Sequence, residues 1–578
     1  MESLSVERLD HLGVVASVIK DLGIGEMIDA RLGRHDQEEI STGEAVAGMI
    51  LNGLGFSDRP LTLTPQFFAN NPLDLLLRAG VRAEMFNRFK LGRTLEETYH
   101  YGCDLLLSEL ALSVCSQEGM DTRFNHLDTT SFSLTGDYVP DSDEHAIAIT
   151  HGYSKDHRPD LKQAVLELMV SQDAGVPLMS KSGDGNASDT QIFQERAQAL
   201  LATFQGSSTP RYLVADAKLY SEENAANLKQ LGFITRILGT LKLVTQVIGQ
   251  ALTWDTWQRL DETIRYQPIA LCHYGMAQRW LVVWSQASLE RAQASVNNAA
   301  QREAEAVHKQ LFHLQAQRFE TPSQAQEALA VVAKQWHYHQ VASCELSAHK
   351  RYGKKGRPTA DTPLQGTQWQ MHAQMTPDTA RLEALKRHKA CFVLGTNIGT
   401  DFLSDAEVIA GYKAQAHVEG GFRFLKDPLF FVSSLFVTKP CRIQGLLMVM
   451  TLALLVYSVA QRRVRRALVR QNATIPNQIN QPTNRPTLRW VFQVLEGIER
   501  VRLLVNGQVQ DLITGLNAVK IKILRLFGER VCRAYQLASG YWSAITREQK
   551  LFQKLLAYPA QCRAYRHLSR KKVRLNLC

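Results

Sequence analysis

The spacing of apolar residues predicts that the first 120 residues are helical. From Leu12 to Leu22, apolar side chains return every three or four positions, which is the period of one helix face. The run Ser41-Thr-Gly-Glu44 stands before a second apolar stretch and has the spacing of a helix-capping box. We therefore expect a helical N-terminal domain over residues 1–120, with possible binding of DNA ends.

Between residues 121 and 240 the pattern changes to short apolar runs, which predict strands. Three strands come first with no helix between them, and helices then alternate with further strands. This order predicts a mixed α/β sheet and not a doubly wound parallel one. The predicted strands are Phe124–Phe132, Ala164–Val170, Val176–Ser180, Tyr212–Asp216 and Phe233–Leu238.

Residues 241–388 break this alternation and predict an inserted subdomain. It contains a strand-like run at 280–284, a long polar helical stretch over 287–340 and a basic loop at 350–358.

The sheet is expected to resume over residues 389–470. Within this part, Ser404–Glu407 has capping-box spacing and opens a helix that Pro428 ends. A polar linker over 471–486 and a basic helical C-terminal region over 487–578 follow.

One apolar stretch, residues 445–460, comes close to the length of a membrane span. It has 16 residues, whereas a span needs about 20, so we predict a buried core helix and no membrane association. The N-terminus lacks the blocks of a signal peptide, and the cysteines form no Cys-x-x-Cys pair. Reduced thiols in a cytosolic protein are therefore expected.

The charge is divided unequally along the chain. Residues 461–578 hold 23 Lys and Arg against 5 Asp and Glu, a net charge of +18, whereas residues 1–460 hold 43 against 51, a net charge of −8. A basic tail beside an acidic body predicts a polyanionic partner that is bound away from the chemistry. A solvated basic helix face is the alternative.

Three acidic residues stand in three different settings. Asp128 lies in the first predicted strand, Asp216 ends the fourth, and Glu419 lies in the helix that Ser404–Glu407 opens. An isolated charge at the end of a buried strand costs on the order of several kcal/mol. Carboxylates from separate elements can hold a pair of hard cations such as Mg²⁺. We therefore expect a nucleic-acid enzyme that cuts phosphodiester bonds; a capped strand end is the alternative for Asp128.

The predicted helix around Glu419 supports a geometric argument. Seven-residue spacing places Tyr412, Glu419 and Lys426 on one stripe within about 40°, with Gln415 about 60° to one side. The stripe offers a carboxylate for a metal, an ammonium for a phosphate and a phenol. Gly420-Gly421 weakens this helix by roughly 2 kcal/mol, which predicts close approach of another backbone or a ligand. A solvated amphipathic helix is the alternative.

These patterns resemble the DDE transposases of bacterial insertion sequences. Tyr412, Glu419 and Lys426 match the family signature Tyr-x2-Arg-x3-Glu-x6-Lys. Asp128 in His-Leu-Asp-Thr-Thr and Asp216 in Val-Ala-Asp-Ala-Lys look like the first and second aspartates of the family.

The resemblance covers most of residues 120–460, including the insertion. The blocks Gly152–Gln163 and Gly185–Asp189 are similar to a subgroup with a helical N-terminal domain. Gln415 stands where the signature has Arg. A neutral amide cannot make a charged bidentate clamp, so the DNA-end contact of that Arg is in doubt.

The resemblance implies an RNase H-like catalytic fold and an insertion-sequence transposase. Such an enzyme binds terminal inverted repeats in double-stranded DNA, cleaves the strands at the ends and joins them to target DNA. Asp128 would bridge two Mg²⁺ ions, for which Mn²⁺ could substitute, and Asp216 and Glu419 would complete one ligand sphere each. A homodimer in the synaptic complex and a bacterial cytoplasmic, nucleoid-associated location are also implied.

Further residues are expected to contact DNA or phosphate. Lys355-Gly-Arg-Pro358 resembles an AT-hook core, whose Arg could enter a narrow minor groove; a flexible basic loop is the equal alternative. For the polar residues of His151–Asp160 a hydrogen-bonded loop is favoured over a metal site. The expected DNA or phosphate contacts are Tyr412, Gln415, Arg423, Lys426, Lys355 and Arg357.

Two other functions stay open. An RNase H-like nuclease would hydrolyse DNA without joining it. A catalytically inactive DNA-binding relic is supported by Gln415 alone.

Overall fold

A computed structural model provides the fold. The residues that it describes are 3–35, 37–57, 60–136, 138, 146–187, 211–217, 220–222, 224–254, 256–353, 363–427, 429, 437–505 and 508–537.

The regular elements follow one another in this order. The N-terminal third contains β1 (Ser3–Arg8), α1 (Leu12–Leu22), α2 (Ile24–Leu32), α3 (Thr42–Leu54), α4 (Thr64–Phe68), α5 (Leu73–Leu76), α6 (Arg88–Tyr101), α7 (Cys103–Glu118), β2 (Phe124–Leu134), β3 (Lys162–Ser171) and β4 (Pro177–Gly183). The middle contains β5 (Tyr212–Ala215), α8 (Ala225–Leu228), β6 (Gly232–Arg236), α9 (Lys242–Leu252), β7 (Gln258–Arg259), β8 (Ile264–His273), β9 (Met276–Ser285), α10 (Gln286–Gln315), α11 (Pro322–Ala333), β10 (His339–Tyr352), β11 (Leu364–Pro377), α12 (Thr379–Lys389) and β12 (Cys391–Thr396). The last third contains α13 (Asp405–Lys413), α14 (Ala416–Leu425), α15 (Pro440–Arg470), β13 (Ile475–Pro476), β14 (Pro482–Thr483), α16 (Leu488–Val494), β15 (Glu499–Val505), β16 (Gln508–Thr514), α17 (Ala518–Leu526) and α18 (Glu529–Ala534).

The chain divides into two compact units. Unit 1 comprises Met1–Thr122, Asp128–Ala187 and His417–Cys578, and unit 2 comprises Arg123–Leu127 and Ser188–Ala416. These limits differ from the predicted domains, because the N-terminal helices, strands β3 and β4 and the C-terminal region belong to one unit.

Helix α15 forms the centre of unit 1. By length and composition the whole helix is long and apolar enough to cross a membrane, but 89% of its most apolar window is buried inside the protein. Gly445 permits close packing against α6, since a Cβ there would lie 2.6 Å from the Leu95 carbonyl oxygen. The packing of α15 agrees with the predicted core helix.

A small sheet in unit 1 joins a strand at residues 3–8 to two strands within residues 499–514. Strand β15 pairs antiparallel with both β1 and β16. The helical predictions for residues 1–120 and 487–578 are therefore wrong at these strands. The predicted linker 471–486 also differs, because β13 pairs with β14 and Trp490 Nε1 donates to the Pro476 carbonyl at 2.8 Å.

The sheet of unit 2 mixes parallel and antiparallel strands. Its strands follow the order β2, β5, β6, β12, β9, β8 and β7. β5 runs parallel to β2 and to β6, whereas β12 runs antiparallel to β6 and to β9. In unit 1, β3 lies between β4 and β2, and β3 pairs antiparallel with β4. The predicted mixed α/β fold and the strand-first order are confirmed.

Part of the predicted insertion belongs to this sheet. Strands β8 and β9 extend it, and Leu281 and Val283 join a buried cluster with Val408 and Ile409 of α13. The rest of 241–388 builds a separate layer, in which α10 and α11 pack against β10 and β11.

A buried histidine in unit 1 predicts a pH-dependent stability. His11 stacks on Phe492 with ring centroids 4.1 Å apart, and its Nε2 lies 2.8 Å from the Leu54 carbonyl oxygen. Since a carbonyl only accepts, Nε2 carries the proton and donates. Burial lowers the pKa of His11 from 6.5 to about 4, although the hydrogen bond to Leu54 and the nearby Asp10 carboxylate oppose this change.

Lowering the pH should therefore destabilise unit 1 through His11. Between pH 6.5 and 4 the unfolded chain binds this proton and the folded chain does not, so stability is lost as the pH falls. We expect a loss of about 2 kcal/mol from pH 7 to pH 5 from this group. Urea unfolding at both pH values, for wild type and His11→Gln, measures it. An equal loss of unfolding free energy in the two proteins would contradict the assignment of this pH dependence to His11.

Candidate functional site

The register of β2 and β5 places an aspartate directly after the last matched residue of each strand in a parallel pair. Leu127 pairs with Ala215, and Asp128 and Asp216 are the next residues in the sequence. Asn125 adds a side-chain hydrogen bond between the two strands, because its buried amide donates to the Tyr212 carbonyl at 3.3 Å. Asp128 was predicted to lie inside its strand and Asp216 to end its strand. The structure agrees with both predictions, since β2 continues beyond Asp128 to Leu134 and β5 ends at Ala215.

Both aspartates are half-buried and anchored through their local backbone. The Asp128 Oδ1 accepts from the Thr129 amide at 2.7 Å. The Asp216 carbonyl accepts from the hydroxyl of Thr235, a buried residue of β6, at 3.1 Å. These contacts fix the backbone from which each carboxylate extends.

The loop His151–Asp160 folds onto β2 within unit 1. Lys155 Nζ donates to both the carbonyl and the hydroxyl oxygen of Thr129, each at 2.6 Å. The Lys155 amide donates to the Ser131 hydroxyl at 3.1 Å. The Lys155 side chain therefore lies against Thr129, the residue that follows Asp128. The sequence analysis did not single out Lys155. The predicted hydrogen-bonded loop is confirmed.

Two glycines explain why the blocks Gly152–Gln163 and Gly185–Asp189 occur together. A Cβ on Gly152 would overlap the carbonyl oxygen of Gly185, and a Cβ on Gly185 would overlap the carbonyl oxygens of Gln163 and Thr150. The buried Gln163 amide then donates to the Gly185 carbonyl at 2.7 Å. The loop that carries Lys155 is thus held by backbone contacts that only glycine allows.

Tyr412 and Glu419 lie on two different helices, Gln415 lies in the turn between them, and Lys426 follows the second helix. Helix α13 ends at Lys413 and α14 begins at Ala416, with a turn at Ala414 and Gln415. The predicted single stripe is therefore wrong for Tyr412, since the seven-residue rule requires an unbroken helix. The capping box at Ser404 and Glu407 is confirmed.

Tyr412 and Gln415 belong to unit 2 and are both partly buried. The Tyr412 ring lies 6.5 Å from the Phe392 ring and packs against the buried cluster of that unit. This packing restricts the phenol, so only part of its surface is available to a ligand.

Helix α14 of unit 1 is amphipathic. Val418, Phe422 and Leu425 are buried, whereas Glu419 and Arg423 are exposed. Gly421 lies against the core, since a Cβ there would be 3.2 Å from Leu454 and 3.3 Å from Leu168; nothing lies within 4 Å at Gly420. Among the described residues, the expected close approach of another backbone is therefore not found at either glycine, and Gly421 contacts leucine side chains instead.

Lys426 follows α14 and binds the loop His151–Asp160. Its Nζ donates to Asp156 Oδ1 at 2.6 Å and lies 5.6 Å from the centre of the Phe132 ring. The ammonium predicted to bind a phosphate is therefore paired with a carboxylate, at a position where both side chains are partly exposed.

The three residues predicted to bind metal have side chains of the type that binds Mg²⁺. Asp128, Asp216 and Glu419 offer the carboxylate oxygens that Mg²⁺ prefers. Among the residues that the structure describes, no group of three or more His, Cys, Asp and Glu is close enough to hold a metal ion. Lys355 and Arg357 lie outside the described residues.

Comparisons with known proteins identify no family. Residues 4–112 match a domain of unknown function, DUF4277. No curated protein matches the chain. A cryo-EM structure of a piggyBac transposase synaptic complex with hairpin DNA aligns over 95% of this chain and 87% of its own, with 7% identity and a TM-score of 0.32. That score is too low to support a fold or a function.

The glycine contact gives a direct test of how the loop is held. Gly185→Ala should destabilise unit 1 by about 2 kcal/mol, because two carbonyl oxygens must move to admit a methyl group. Gly183→Ala is the matched control, since the nearest atom to a Cβ there is 3.9 Å away. Urea unfolding of both variants measures the difference. Equal stability of the two variants would contradict the proposed contact.

Proposed function

We propose that the protein is the transposase of an insertion sequence. It would bind the terminal inverted repeats of the element, cleave the DNA strands at the ends and join them to target DNA. The observation that supports this function best is the parallel register that leads to Asp128 and Asp216. Together with Glu419, they match the order of acidic residues in the DDE family.

The register supports a shared role for the two aspartates. Neighbouring strands are about 4.8 Å apart, and residues that follow a matched pair in parallel strands leave from the same end. Open α/β sheets place ligand sites at the carboxyl ends of such strands. An RNase H-like catalytic fold is the fold we propose for this sheet.

Asp128, Asp216 and Glu419 would hold Mg²⁺, or Mn²⁺ in its place, only after the three carboxylates come together, because the described residues include no group close enough to hold an ion. The bound ions would supply activation of the attacking oxygen and stabilisation of the leaving oxygen. The exposed position of Glu419 on α14 leaves its carboxylate accessible for such a role.

The cationic side chains of unit 1 would position DNA. Arg423 lies four residues after Glu419, about 40° around the helix, and is exposed. Lys426 would reach a phosphate only by leaving Asp156. Phosphate and carboxylate compete for the same ammonium, so Asp156 would hold Lys426 until DNA replaces it.

The remaining parts of the proposal follow from the same activity. The partner is double-stranded DNA, drawn by the basic C-terminal region, and the active form is a homodimer that holds both ends. We place the enzyme in the bacterial cytoplasm at the nucleoid.

Asp128→Asn should abolish metal-dependent strand cleavage, because an amide is a poor ligand for Mg²⁺. The substrate is a supercoiled plasmid that carries the gene with its flanking DNA. We expect at least a hundredfold loss of nicked and joined products, with binding of the DNA retained. Asp160→Asn is the control, since it removes an exposed carboxylate that pairs with Arg158.

The products of the same assay decide between the open functions. Nicked plasmid without joined products would favour a nuclease. A wild-type protein that leaves the plasmid intact with Mg²⁺ and with Mn²⁺ would favour the inactive relic.

Asp156→Asn should tighten DNA binding a few-fold, because Lys426 loses its competing carboxylate and becomes free for a phosphate. Lys426→Ala should weaken binding and cancel the effect of Asp156→Asn in the double variant. Fluorescence anisotropy with a labelled plasmid fragment measures all three proteins. If Asp160→Asn tightens DNA binding equally, the effect is one of net charge. The proposed replacement of Asp156 by a DNA phosphate at Lys426 is then refuted.

A further inference from the structure

Unit 2 carries a long two-stranded ribbon that the sequence pattern did not predict. β10 and β11 pair antiparallel from His339 with Pro377 to Tyr352 with Leu364. Fourteen residues in each strand correspond to a length of about 45 Å.

The inner half of the ribbon is anchored on helices. Met371 and Ala373 are buried in a cluster with Leu311 of α10 and Leu329 of α11. Phe319 adds an edge contact, because its amide donates to the Trp369 carbonyl at 2.9 Å. The ribbon is therefore held from its inner end as far as Trp369, which pairs with Ala348.

The outer half extends away from these helices with its residues exposed or half-buried. Ala348, His349, Lys350 and Arg351 are exposed on β10, and so is Gly366 opposite Arg351. Two-stranded ribbons are marginal on their own, so the anchored inner half is what holds this part in a defined shape.

Strand alternation separates the outer half into two faces. One face carries only polar side chains or glycine, since His349 pairs with Gln368 and Arg351 pairs with Gly366. Lys350 lies on the opposite face, across from Thr367. Neither Lys350 nor Arg351 forms an ion pair with any residue that the structure describes.

We propose that the outer half of the β10–β11 ribbon enters the major groove of double-stranded DNA. The inference rests on the proposed function for the identity of the partner. The major groove is about 12 Å wide and admits a two-stranded ribbon. Arg351 and Gln368 carry the groups that bind guanine and adenine edges there, and Lys350 reaches a backbone phosphate.

The chemistry of the polar face favours DNA over a protein partner. Binding sites for proteins depend on aromatic and aliphatic anchors in buried pockets. The outer polar face has guanidinium, imidazole and amide groups, and β10 and β11 together contain a single carboxylate, Glu345. This balance suits a polyanion whose bases offer hydrogen-bond acceptors and donors.

A pair of charge-matched variants tests the proposal. The probe is a fluorescein-labelled 30-base-pair duplex of mixed sequence, and anisotropy is read without divalent metal so that no cleavage occurs. Lys350→Gln with Arg351→Gln should raise the Kd about tenfold. The slope of log Kd against log salt concentration should fall by the equivalent of one to two phosphate contacts. Arg302→Gln with Lys309→Gln removes the same charge from exposed sites on α10 and should change the Kd less than twofold.

A second probe tests the groove. Glucosylated 5-hydroxymethylcytosine in the same duplex fills the major groove and leaves the phosphates unchanged. Wild type should bind this duplex several-fold more weakly, whereas the Lys350→Gln, Arg351→Gln protein should bind both duplexes equally. Indifference of wild type to glucosylation, or equal losses in the two charge-matched variants, would overturn the proposal.

The test is independent of strand cleavage. If wild type never nicks a plasmid but the ribbon variant loses affinity, the ribbon inference holds and the transposase proposal fails. If Asp128→Asn loses nicking while the ribbon variant binds as wild type does, the transposase proposal holds and the ribbon inference fails. Circular dichroism of each variant verifies that the fold is intact.

Discussion

The pairing of β2 with β5 is the constraint on which the candidate site depends. Phe124–Leu127 and Tyr212–Ala215 are buried throughout and pair in parallel. A slip of one residue would exchange the faces of every side chain, so burial on this scale fixes the register. The same register places Asp128 and Asp216 directly after the last matched pair of the two strands. Packing of apolar side chains thus determines the positions of two charged ones.

Local signals in the sequence were sufficient for strands β2 to β6 and for the capping boxes, but not for the break at residues 414–415. The capping box at Ser404 and Glu407 and the buried strands depend on neighbours within a few positions. Ala414 and Gln415 are good helix formers, so no residue type marks the turn between α13 and α14. A rule based on helix periodicity therefore cannot detect the break.

Distant partners explain the other missed elements. β1 pairs with β15, whose residues are nearly five hundred positions away. Arg500 supports that pair, since its guanidinium binds Glu7 and Asp74 while almost fully buried, and it lowers the pKa of Asp74 well below the usual range. The β10–β11 ribbon gave no apolar alternation in its outer half, because its residues there are exposed or half-buried. Neither element has a local pattern that would reveal its partner.

The replacement of the signature Arg by Gln415 is weaker support for an inactive relic once α14 is considered. Gln415 is a partly buried neutral amide in the turn before α14, and it offers no charge to DNA. Arg423 lies one turn beyond Glu419 on the exposed face of α14, and it forms no ion pair with a described residue. A guanidinium at that position has the same planar donor geometry as the missing Arg. The chemistry absent at 415 is thus present beside Glu419, so the substitution alone does not remove the means to bind a phosphate.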